Sequence, residues 1–172
     1  MQQGFKENGQ AKLDRLVQDD VQNLCSLPAN APALEKTIAA KLEAASLAAV
    51  KYPADGKLVG DWREGEKIAQ SGVGKQFTDN PANPAGGNCY ACHQMSPQEL
   101  SFGTIGPSLL GYGKIRAAIP DIDKYTYAKI YNPQAYAACS NMPRFGHNGI
   151  LTQAQIKDVV ALLLDPKSPV NQ

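Results

Sequence analysis

Apolar side chains recur along the first third of this chain at the spacing of helices. Leu13, Leu16, Val17, Val21 and Leu24 share one side of a helical wheel, with Asp14, Arg15, Gln18 and Asp19 on the other, so an amphipathic helix is predicted over about 11–25. Residues 26–32 break that pattern with Pro28 and Pro32. Leu34, Ile38 and Leu42 then recur every fourth residue in an alanine-rich run to about Val50. The two segments read as a helical hairpin that packs against the rest of the chain, since they hold no cluster of ligand-type side chains. Residues 52–60 form a turn-rich joint.

From Asp61 the pattern changes. Asp61 caps a predicted helix over 62–70, Glu64 completes a capping box, Gly65 and Ile68 share one face, and Gly72 offers a stop. A loop of Asn, Pro and Gly follows over 77–88, and 94–113 reads as irregular. A short helix over 123–131 should end at Asn132-Pro133, because the residue before proline avoids the helical region; a turn is expected over 135–140. The last helix is the clearest. Thr152 and Gln155 form a capping box, and Ile156, Val159, Val160 and Leu163 make one apolar stripe before Asp165-Pro166. No segment alternates as a strand should, and no internal repeat is present, so the predicted fold is all-α.

The chain has 172 residues, enough for one domain with an extension. The expected division is an N-terminal helical hairpin over 1–60 and a main domain over 61–172. Seventeen basic residues against 16 acidic ones leave a net charge of +1, so there is no large basic field for nucleic acid, and partners must be selected by local patches. No stretch approaches the length of a membrane span.

Candidate chemistry centres on Cys89-Tyr90-Ala91-Cys92-His93. Two thiols at this spacing can each add across a vinyl group of haem while the adjacent imidazole lies under the iron. A zinc site would need a second pair of soft ligands, and no second CxxC or HxxxH exists. A thioredoxin-like pair belongs between a strand and a helix, whereas this motif follows an Asn/Pro/Gly loop. The motif therefore points to one covalently bound haem c with His93 as an axial ligand.

A second axial ligand can be sought by counting, since there are only two histidines and three methionines. Met1 is terminal, and Met95 follows His93 too closely to reach round the ring. Met142, in Asn141-Met142-Pro143-Arg144-Phe145-Gly146, is the remaining thioether, with His147 as its rival. Thioether ligation raises the reduction potential relative to two imidazoles and, with both axial positions filled, argues against oxygen or peroxide chemistry. Tyr112, Lys114, Arg116 and Arg144 are candidates to reach the haem propionates. Cys25 and Cys139 are left over, and two spare thiols in an oxidising compartment imply a disulfide. Closing so long a loop would stabilise by ~3 to 5 kcal/mol in the chain-entropy account and would staple the hairpin beside Met142. Pairing of Cys139 with a partner subunit, or two buried thiols, are the alternatives.

Taken in order, Cys89-x-x-Cys92-His93, Gly106-Pro107-Ser108-Leu109, Met142 and a capped final helix resemble class I cytochrome c over 61 to about 165. That resemblance implies the class I fold and a backbone carbonyl in the Ile105–Leu109 loop, which contains Pro107, that accepts the ring N–H of the proximal histidine. More narrowly, Gly87-Asn88-Cys89-Tyr90-Ala91-Cys92-His93, Ile105-Gly106-Pro107-Ser108-Leu109, Tyr131-Asn132-Pro133 and Asn141-Met142-Pro143-Arg144-Phe145-Gly146 resemble the SoxX family, monohaem subunits of the SoxAX complexes of bacterial thiosulfate oxidation. The resemblance implies a heterodimer with a SoxA-type haem protein. There the partner carries out catalysis (L-cysteine S-thiosulfotransferase), joining thiosulfate to a carrier-protein cysteine, and this chain accepts the electrons and passes them to a soluble cytochrome c. The alternative is a free-standing periplasmic shuttle to a terminal oxidase. A third class, peroxidase-like haem chemistry, needs an open sixth position. The start, Met1 to Lys6, has no apolar run of the signal-peptide kind. Haem of this type is attached outside the cytoplasm in bacteria, so a removed or replaced secretory signal and a periplasmic location are expected.

Overall fold

A computed structural model describes residues 4–9, 11–28, 32–74 and 76–172 of the chain. Met1, and the central residues 29–31 of the proline-bounded break, lie outside the described residues. Six α-helices occur among the described residues: α1 (Asp20–Cys25), α2 (Lys36–Ala48), α3 (Trp62–Gln70), α4 (Tyr112–Arg116), α5 (Ile122–Tyr131) and α6 (Gln153–Leu164). Short 3-10 turns sit at Leu13–Leu16, Cys89–Ala91, Pro133–Ala135 and Pro169–Asn171. No strand is present among the described residues, in keeping with an all-α fold.

The core is organised around α6. Its capping box forms as the sequence predicts, with Thr152 accepting from the Gln155 N–H and Gln155 accepting from the Thr152 N–H. Ile156, Val159, Val160, Leu162 and Leu163 are buried against α3, α4 and α5. α3 crosses α6 most closely at Gly65, where a Cβ would run into the Asp158 carbonyl. Beside the crossing, the Gly60 N–H donates to Lys157 O at 2.9 Å and the Asp61 N–H to Asp158 Oδ1 at 2.9 Å.

That last bond changes the start of α3. Asp61 does cap the helix, but it accepts from the Arg63 N–H at 2.8 Å, and no capping box forms. Glu64 cannot reach back to an Asp61 N–H already taken by Asp158, and pairs with Lys67 Nζ at 2.6 Å instead. The helix ends as the chain turns extended at Ser71, and the Ile68 carbonyl accepts from the Gly87 N–H at 2.8 Å. The end of α3 thus positions the loop entering the cysteine motif.

The predicted helix over 11–25 is divided. A 3-10 turn is followed by a fresh helix start at Asp19, which with Gln22 forms a reciprocal capping box. Asp19 is better satisfied as a cap than in a helix interior. α4 is also a difference: it starts at the end of the 94–113 stretch read as irregular and runs on to Arg116, where the pattern predicts no helix. Its first amides are received by a residue far along the chain: Asn171 Oδ1 accepts from Gly113 N at 2.9 Å and Lys114 N at 3.3 Å, while Asn171 Nδ2 donates to Leu163 O at 3.0 Å and Asp165 O at 2.9 Å. One buried amide thus caps the start of α4 and the end of α6.

The N-terminal segments meet the chain between α5 and α6. α2 packs on the Pro133–Ala135 turn, and Glu43 Oε1 accepts from the Ala138 N–H at 2.9 Å. Cys25 is disulfide-bonded to Cys139 across 114 residues, with Cα atoms 5.2 Å apart, the internal pairing expected above. Asp19 Oδ2 lies 2.6 Å from Arg144 Nη2, the arginine side chain being buried and the aspartate half-exposed.

Two predictions follow from these contacts. Asn171→Ala leaves buried amides and carbonyls without partners and should cost about 1–3 kcal/mol, read from the denaturation midpoint; an unchanged midpoint would show that α4 and α6 do not depend on this cap. Burial works to raise the Asp19 pKa, but the Gln22 N–H and the Arg144 guanidinium outweigh it and hold it below 3.8. A depressed carboxylate stabilises the fold above its unfolded pKa and loses that contribution as pH falls through the folded value. Asp19→Asn should therefore reduce stability by up to ~1 kcal/mol at neutral pH for this part-exposed pair, and the difference should vanish in acid titration below 3.8.

Candidate functional site

A cavity of about 520 Å³ opens beside the cysteine motif, within the size range of small-ligand and cofactor sites. Cys89, Cys92, His93, Pro107 and Met142, read from the sequence as separate site residues, all line it. The 3-10 turn Cys89–Ala91 and the bonds from Cys92 N and His93 N to Cys89 O bring the two thiols and the imidazole together on a tight turn. Residues 103–109 run alongside. Gly103 N donates to Tyr90 O at 2.8 Å, Gly106 N to Cys92 O at 2.8 Å and Leu109 N to Gln94 O at 2.7 Å.

This pairing sets the histidine. His93 Nδ1 lies 2.8 Å from the Pro107 carbonyl, and a carbonyl can only accept, so Nδ1 carries the proton and the Nε2 lone pair is left for a ligand. Gly106 packs so tightly on the ring that a Cβ there would overlap it. Tyr90, within the motif, is buried and donates to Glu66 Oε1 at 3.0 Å. Burial, and then the Glu66 charge, push the Tyr90 phenol well above its usual range; burial also raises Glu66.

The remaining wall comes from α5, from the stretch carrying Met142 and from Leu163. Met142 lines the cavity; His147, its rival, is exposed and is not among the lining residues. Met95 is buried in the core. Of the four residues considered for the propionates, Tyr112 and Arg116 line the cavity, with the Arg116 guanidinium 4.1 Å from the Tyr112 ring. The Thr126 hydroxyl donates to Ile122 O, so the Tyr112 hydroxyl, 3.0 Å away, donates to Thr126. Lys114 is exposed and does not line the cavity. Arg144 is committed to Asp19 instead. Lys129 is the residue the sequence reading missed. It lines the cavity one helical turn after Thr126, donates to Pro133 O at 3.2 Å, and has its pKa lowered by burial against the opposing effect of Glu43. Its position three residues after Thr126 on the same face of α5 was the available signal.

Comparison with known proteins decides the family. The Cytochrome c family profile matches residues 71–166, more than half of the chain. The chain belongs to the cytochrome c family. An "Uncharacterized lipoprotein" of Aquifex aeolicus (strain VF5) is 44% identical over 159 residues, covering 90% of this chain and 73% of that protein. The crystal structure of SoxXA from P. pantotrophus is similar at 28% identity over 64% of this chain and 84% of that one, with a TM-score of 0.44, too low to carry an argument about assembly.

Membership in the cytochrome c family implies covalently bound haem c and an electron-transfer role. The cavity suits that group. Its lining has two thiols, an imidazole held with Nε2 available, a thioether, two cations (Arg116 and Lys129) suited to propionates, and no carboxylate. Cys89 and Cys92 would hold the haem by thioether bonds, and His93 and Met142 would flank its iron. When bound, the group would supply an iron that changes charge by one electron. The surrounding chain fixes the imidazole through the Pro107 carbonyl, and the buried side chains of Phe145, Ile130 and Leu163 give the cavity an apolar wall.

Because a methyl at Gly106 has no room beside the ring, Gly106→Ala should displace His93 or its loop. The expected cost is about 1–3 kcal/mol in the unfolding midpoint of the holo-protein, with altered visible absorption; an unchanged midpoint and spectrum would show that ring and loop are not in contact.

Proposed function

We propose that this cytochrome c holds a single haem through Cys89 and Cys92, with His93 and Met142 as axial ligands, and serves as the SoxX-like electron-accepting subunit of a SoxA-type partner. The observation that carries the ligand set is the convergence of all four side chains on one cavity, with His93 fixed through Pro107. In this reading residues 61–172 form the haem domain and 1–60 an extension. The partner performs the oxidative joining of thiosulfate to a carrier-protein cysteine. The present chain takes the electrons singly and passes them to a soluble cytochrome c.

Three things support the assignment to this complex. The sequence around Cys89, Tyr131 and Met142 follows the SoxX pattern. Leu100 and Ile115, outside the cavity lining, are apolar and exposed, the kind of side chain a partner would cover. The lipoprotein name of the 44% identical relative supports export, and with it a periplasmic location. Among the described residues no helix is long and apolar enough to cross a membrane.

Purification of the native protein from cells grown on thiosulfate should yield it with a second c-type haem protein of the SoxA kind. Elution alone as a monohaem monomer would contradict the subunit assignment and favour the free shuttle. The reduced protein should bind carbon monoxide only after Met142→Ala; ready binding by the unaltered protein would contradict the proposed sixth ligand.

A further inference from the structure

The stretch that carries Met142 packs on the haem domain through side chains, with Tyr136 4.5 Å from the Tyr125 ring and Met142 against the core. Just beyond it, Gly146 N and His147 N both donate to Tyr131 O; the stretch's own backbone makes few hydrogen bonds to that domain. Within 136–144 the backbone bonds are local: Ala137 N donates to Pro133 O, Ser140 N to Ala137 O, and Arg144 O accepts from Asn148 N. Met142 N donates to Ser140 Oγ. Among the described residues, the hydrogen bonds that 136–144 make beyond these neighbouring turns go to the N-terminal extension. Ala138 N–H donates to Glu43, and the Arg144 guanidinium donates to Asp19. The disulfide from Cys25 adds a covalent tie at Cys139, a non-glycine residue held in the left-handed region at φ 61°. These ties fall four and three residues before Met142 and two residues after it.

We infer that Asp19, Cys25 and Glu43 of the extension are positioning residues for the sixth ligand, holding the Met142 stretch on both sides of that side chain. The inference rests on the reading of Met142 as that ligand. A thioether is a weak, neutral ligand on a flexible side chain, so its hold on iron depends on how far its backbone can withdraw. The Asp19 contact is suited to limiting that withdrawal. Its capping box fixes the aspartate from behind while the other carboxylate oxygen grips a buried guanidinium, a charge-assisted bond at 2.6 Å. On the other side the disulfide and the Glu43 bond act at adjacent residues, and α2, which supplies Glu43, is itself seated on the Pro133–Ala135 turn. Neither Asp19, Cys25 nor Glu43 lines the cavity, so each acts through Met142.

The test uses the full-length ferric holo-protein and two readouts: the near-infrared sulfur-to-iron charge-transfer band, and the rate at which added imidazole displaces the native sixth ligand. The variants are Asp19→Asn, Cys25→Ser with Cys139→Ser, and Met142→Ala. Gly65→Ala, which strains the α3–α6 crossing away from this stretch, controls for general loss of stability. Asp19→Asn should keep the band and speed displacement several-fold, in line with the worth of that part-exposed ion pair. The double serine variant, which releases a covalent tie, should keep the band and speed displacement at least as much. Gly65→Ala should leave the displacement rate unchanged, and Met142→Ala should lose the band. If Met142→Ala loses the band but the extension variants exchange at the wild-type rate, the positioning inference is overturned while the ligand assignment stands. Equal acceleration by Gly65→Ala would also overturn it. If Met142→Ala keeps the band, the ligand assignment and the inference fall together.

Discussion

The hydrogen bond from His93 Nδ1 to the Pro107 carbonyl fixes the chemistry of the site, because it decides which ring nitrogen keeps its lone pair. It can form only if the 103–109 segment runs alongside the cysteine motif, and three backbone bonds, to Tyr90, Cys92 and Gln94, hold it there. It also requires Gly106, since any side chain at that position would occupy the space of the ring. The motif in turn hangs from the end of α3, whose Ile68 carbonyl receives the Gly87 N–H, and α3 is locked across α6 at Gly65. A chain of contacts thus runs from the core crossing to the imidazole.

The other wall is built on a different principle. Local turns shape the Met142 stretch, and its longer-range hydrogen bonds are to the N-terminal extension through Ala138 and Arg144. As the proposed axial ligands, a rigid histidine and a tethered methionine would suit an electron carrier, whose ligands should move little when the metal changes charge. Lys129 and Arg116 place positive charge at the cavity without a carboxylate among its lining residues, which favours an anionic cofactor and bears on the potential through local electrostatics.

What the sequence made legible was what is local in the chain. The Thr152–Gln155 box and the stripe of α6 are encoded within a few residues, and each has its expected form; the CxxCH order is equally local, and its thiols and imidazole share one cavity. The misreadings are non-local. Glu64 loses its capping role because Asp158, 97 residues away, holds the Asp61 N–H. α4 was invisible because its cap, Asn171, lies 58 residues beyond Gly113. Arg144 looked available for a propionate until Asp19, 125 residues earlier, claimed it, and the same Asp19 divides the helix read across 11–25. Periodicity sees a polar position; it does not see which distant group will satisfy it.

The central claim is that iron sits between His93 and Met142. X-ray absorption at the iron edge of the ferric holo-protein tests it most directly. The account predicts a low-spin, six-coordinate iron whose first shell contains nitrogen and a single sulfur scatterer, with the sulfur lost in Met142→Ala. A first shell of nitrogen alone, or a five-coordinate iron, would contradict it.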